Sequence, residues 1–168
     1  MNIGNQYIAV PGLIVPDQLR SLITVRSNAV LTPIEVSTFN AALEALACDF
    51  SSEHFIRTQP LNIIFVSGSC SVTFEQDNPG VCANHLQFAV YYLDRIRAVN
   101  KDNPGSLLPI AMEELCHAFY ACSDERTVCQ IVQRLAAKYV DGIYYSHPLY
   151  NFPLKFLLDD PIDWQTGR

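Results

Sequence analysis

A chain of 168 residues, 49% apolar and 17% charged, has the length and the apolar content for one domain with a real core, here taken as residues 1–168. Its net charge of −6, with eleven scattered Lys and Arg and no basic run, argues against a nucleic-acid surface, which needs clustered cations for phosphate. No apolar stretch approaches the roughly 18 residues needed to span a membrane.

The first residues, "MNIGNQYIAVPG", hold no basic region followed by a long apolar segment, so no signal peptide is expected there. None of the six cysteines (Cys48, Cys70, Cys82, Cys116, Cys122 and Cys129) forms a CxxC pair. A cytoplasmic location with reduced, mostly buried thiols is expected. Two prolines and a glycine break "YIAVPGLIVP", which reads as an arm or edge strand. Residues 17–27 open on Asp17, a good N-cap, and Leu19, Leu22 and Ile23 predict one apolar side of a short helix.

Residues 32–50 carry a full set of helix signals. Thr32 can cap, Pro33 suits the first turn and Glu35 supports it. Val36, Phe39, Leu43, Leu46 and Phe50 recur every three to four residues. Around 61–67 and 71–76 the chain is β-branched and aromatic, and "SGSC" between the two runs predicts a hairpin. "DNPG" at 77–80 is a turn. Residues 84–91 alternate like a strand and lead into a helical turn or short helix. After the loop "NKDNPGS", residues 107–122 and 124–140 predict two helices, the second capped by Ser123 and stopped near Gly142. The aromatic and proline-rich tail is expected to wrap the core. The fold class expected is α+β, a small antiparallel sheet with four or five helices and the helix at 107–122 central.

That helix contains "MEELCHAFY", residues 112–120. At about 100° per residue with Glu113 at zero, His117 falls near 40°, Tyr120 near 340°, Asp124 near 20° and Glu114 near 100°. The rest is apolar, so a mostly buried helix carries one narrow polar stripe. An unpaired carboxylate there would cost several kcal/mol, so the stripe must meet water, a partner group or a metal ion. In the simpler reading, Glu113 and His117 pair at i, i+4 on an exposed edge. In the other, one helical turn lets both side chains reach one ion, Glu114 carries a proton and Tyr120 bonds an oxyanion.

"EELCH" resembles the His-Glu-x-x-His helix of the zincin-type metallopeptidases, a likeness reaching loosely over residues 60–125. The resemblance implies Glu113 and His117 as metal ligands and Glu114 as general base. Glu113 stands where the family has its first His. Ser123 stands where a third His would follow, so Asp124 is expected as an acidic third ligand, with Glu125, His85 and His147 as further candidates. The expected cofactor is zinc or another divalent metal, and the expected activity a metal-dependent hydrolase or peptidase. The alternative is a non-catalytic binding or protein-interaction module that keeps the helix and takes an unidentified peptide or protein partner. A ferritin-like site would need a second Glu-x-x-His, which the sequence lacks. Neither a phosphate loop nor GxGxxG is present.

Overall fold

The computed structural model describes residues 2–3, 7–52, 55, 60–69, 74–75, 87–102 and 106–140. The element order is β1 (Asn2–Ile3), a 3-10 turn (Asp17–Leu19), β2 (Ile23–Ser27), α1 (Pro33–Cys48), β3 (Leu61–Val66), β4 (Phe74–Glu75), β5 (Gln87–Tyr92), α2 (Leu93–Asp102), α3 (Leu107–Phe119) and α4 (Glu125–Tyr139). Among the described residues this is α+β, with four helices and a three-stranded sheet in the order β2-β3-β5.

The sheet is parallel, which corrects the antiparallel expectation. Val25 pairs with Ile63, and Ile63 with Ala89, both in parallel register. The reason is connectivity: the connection from β2 to β3 includes the 16-residue helix α1, and a crossover of that length brings the next strand in the same direction. The expected hairpin fails for the same reason. Both edges of β3 are taken by β2 and β5, and β4 pairs antiparallel with β1 instead.

Residues 17–27 supply a second correction. Only Asp17–Leu19 turns, as 3-10, and Ile23–Ser27 is a strand. Ile23, Val25 and Ser27 face inward and alternate with half-buried Thr24 and Arg26, a period of two rather than of 3.6. The N-terminal arm touches this strand through one antiparallel bridge, Ile8 to Ser27. The strand at 87–92 leads straight into α2, as its pattern predicts, and α2 runs for ten residues. Gly142, the tail, the 77–80 turn, His85 and His147 lie outside the described residues.

α1 forms where the capping signals place it. The Thr32 hydroxyl accepts from Glu35 N at 3.3 Å, and Glu35 Oε2 accepts from Thr32 N at 2.7 Å. Its inner face puts Phe39, Leu43 and Leu46 on the sheet, where Phe39 meets Phe65 and Tyr91 edge-on at 4.6 and 4.8 Å. Val36 and Phe50, expected in the same row, are only half-buried. Ile64 and Val66 point to the opposite face with Tyr7, so β3 is buried on both sides.

α3 packs against α1, α4, β5 and α2, and its Leu108, Met112, Leu115 and Phe119 are buried. The Tyr91 hydroxyl donates to the Ala111 carbonyl at 2.8 Å and ties the helix to the sheet. The helix at 107–119 is therefore central and largely buried, as expected. No helix among the described residues is long and apolar enough to cross a membrane.

Candidate metal centre

The polar stripe of α3 comes out at the corner where α3 turns into α4. Glu113 and His117 are half-buried there, and Glu114 is exposed. The turn ends α3 with Ala121 at φ 47°, and the Cys122 N–H donates back to the His117 carbonyl at 3.3 Å. That bond and the left-handed residue make a Schellman ending. α4 then starts at once, and its first residue, Glu125, is brought beside the last turn of α3.

The turn also orients His117. Its Nδ1 lies 2.6 Å from the Cys122 carbonyl oxygen. A carbonyl only accepts, so Nδ1 carries a proton and donates it. Nε2 is left facing Glu125, with Oε2 at 3.5 Å. A ring held through one nitrogen by a backbone carbonyl presents its other nitrogen in a fixed direction, here towards the Glu125 carboxylate.

Glu113, His117 and Glu125 each offer one atom to a group whose members all lie within 4.8 Å of one another. Glu113 is the innermost carboxylate. Burial pushes its pKa up, the charge of Glu125 adds to this, and His117 pulls the other way. His117 is 23% and Glu125 49% exposed, so the group opens to solvent on the Glu125 side.

The other expected site residues go elsewhere. Asp124, not Ser123, caps α4. Its Oδ2 accepts from Thr127 N at 2.7 Å and from the Thr127 hydroxyl at 2.6 Å. These bonds hold the Asp124 carboxyl below the usual carboxylate range. The Tyr120 hydroxyl donates to Asp49 at the end of α1, and burial followed by that hydrogen bond pushes the phenol far up. Glu114 stands next to the group in sequence and outside it in space. Burial also pushes up the Cys116 and Cys122 thiols, which keeps them protonated and unreactive.

Glu125 was legible only as one of several nearby acids. Its signal is the one-residue shift in the α4 cap, which moves the first helical position from 124 to 125 and turns Glu125 back over α3. No family model, no curated protein and no solved structure matches the chain.

Proposed function

We propose that this chain binds a divalent metal ion, zinc or a harder ion such as manganese, through Glu113, His117 and Glu125. The observation that carries the reading is the meeting of one imidazole nitrogen and two carboxyl groups within 4.8 Å of one another. Ligands about 2.1 Å from an ion stand about 3.4 Å apart in a tetrahedron, so small side-chain rotations close the set. Two carboxylates with one imidazole make a harder set than the usual zinc ligands. The carbonyl end of α3 adds partial negative charge beside the group.

A bound ion would supply Lewis acidity to an oxygen ligand on the solvent side. Exposed Glu114 is the neighbouring carboxylate available as a general base, and with the likeness of residues 113–117 to the zincin helix this supports a metal-dependent hydrolase. One observation favours a non-catalytic binding module instead: the Tyr120 hydroxyl is engaged with Asp49 rather than offered to a substrate.

Elemental analysis after zinc or manganese loading and desalting tests the binding. About one equivalent is expected in the wild type and in Glu114→Gln, and little in His117→Ala. Absence of metal from the loaded wild type overturns the proposal. If metal is held, Glu114→Gln should abolish any hydrolysis of a casein substrate. Metal without hydrolysis in the wild type removes the hydrolase reading and leaves the binding module.

A further inference from the structure

Asp49 closes α1, and nothing about α1 itself calls for a carboxylate there. The last carbonyls of a helix carry partial negative charge and need donors, so an acidic side chain at that end is unfavourable for its own helix. The capping is done by the Asp49 backbone N–H, which donates to carbonyls of the last turn of α1. The side chain, 19% exposed, is engaged by two other helices.

Its Oδ2 accepts from the hydroxyl of Tyr120, the residue just past the end of α3. Its Oδ1 accepts from the Tyr139 hydroxyl at 3.4 Å and lies 4.0 Å from Lys138 Nζ, both in the last turn of α4. The Tyr139 hydroxyl also lies 3.4 Å from the Cys48 carbonyl. One carboxylate thus joins the ends of three helices that pack on one another.

The three proposed ligands are divided between two of those helices. Glu113 and His117 stand on α3, and Glu125 opens α4. Their separation is therefore set by how α4 leaves α3. Bonds within the corner fix its backbone at Ala121 and Cys122. Anchors outside the corner fix the direction of α4. Tyr120 supplies the near anchor and Tyr139 with Lys138 the far one, and both meet at Asp49. Tyr120 is well held on this partner: it is 3% exposed, its N–H donates to the Cys116 carbonyl at 3.0 Å, and its ring meets Phe55 edge-on at 5.7 Å.

We infer, on the metal reading of that corner, that Asp49 is a positioning residue for the site: through Tyr120 it holds the α3–α4 corner in the geometry at which Glu113, His117 and Glu125 meet one ion. Asp49 itself stands outside the ligand group. Ligands ordered before the ion arrives bind it more tightly than ligands that must be ordered on binding. Tyr120 and Asp49 act through one bond, so losing either has the effect of losing both.

Titration of the full chain with zinc and with manganese, at a temperature where every variant is folded, tests this. Tyr120→Phe removes the bond and keeps the ring, and should bind the ion about tenfold more weakly than the wild type. Asp49→Ala should lose about as much, and the double variant no more than either single one. Asp49→Asn keeps an acceptor for Tyr120 and should lie closer to the wild type than Asp49→Ala. Val25→Ala removes buried volume from β2, outside the corner, and should bind as the wild type does. Unchanged affinity in Tyr120→Phe, additive losses in the double variant, Asp49→Asn as weak as Asp49→Ala, or an equal loss in Val25→Ala would each overturn the role of Asp49 and leave the metal site standing. A wild type that takes up neither ion overturns the metal site, and the role of Asp49 with it.

Discussion

His117 and Ala121 show how one short turn sets both a side chain and its surroundings. The Cys122 N–H reaches the His117 carbonyl, while the Cys122 carbonyl takes the His117 Nδ1 proton. The same six residues thus end a helix and aim an imidazole. This ending normally uses glycine, because a Cβ at positive φ meets backbone. Ala121, at φ 47°, carries that strain next to the proposed ligands. Ala121→Gly should therefore stabilise the fold by about 0.5–1 kcal/mol, read as a higher urea midpoint at unchanged slope. A lower midpoint would mean that the backbone freedom glycine gains when unfolded outweighs the relieved strain.

At the scale of elements, the caps of α1 and α4 do more than start helices. Glu35 closes the α1 capping box and at the same time holds Arg97, 62 residues away. Burial alone would push the Glu35 carboxyl up, but Arg97 and Thr32 bond its charged form and hold it below the ordinary 4.5. A carboxyl lowered in the folded state stabilises the protein above its unfolded pKa, and that contribution is lost as pH falls through the folded value. Glu35→Gln should thus cost about 1–2 kcal/mol at neutral pH. Its stability curve and the wild type's should converge as the pH drops below 4.5, a comparison made by urea unfolding at several pH values. Asp124 offers a cleaner separation of cap from ligand. Asp124→Ala should cost about 1 kcal/mol and Asp124→Asn only a few tenths, while Asp124→Asn holds metal as the wild type does. Loss of metal from Asp124→Asn would move the third ligand from Glu125 to Asp124.

Over the whole molecule, one large core joins α1, α3 and α4 to a single face of the sheet. Phe39, Phe65 and Tyr91 form its aromatic centre, and the Tyr91 hydroxyl extends that centre to the backbone of α3. Phe39→Ala should cost about 3–5 kcal/mol, a large share of a domain's total stability, read by thermal or urea unfolding. The scaffold keeps two polar constellations apart. One sits at the α3–α4 corner, and the other, Glu35 with Arg97, at the start of α1.

Much of the local structure was legible in the residues themselves. Thr32, Pro33 and Glu35 announce α1, and its apolar row at 39, 43 and 46 is buried as the spacing requires, because caps and helical period act within one or two turns. The one-turn spacing of Glu113 and His117 follows from helix geometry alone, and both side chains reach one site. Strand direction was not legible, since 61–66 reads the same in a hairpin as in a parallel sheet. It depends on which strands occupy its two edges, and those come from residues 23–27 and 87–92. The completion of the corner by Glu125, and the pairing of Glu35 with Arg97, were likewise decided only by the packing of helices. Residues 1 to 4 apart fix a turn or a cap by themselves; partners tens of residues apart leave no mark on either segment until the core has brought them together.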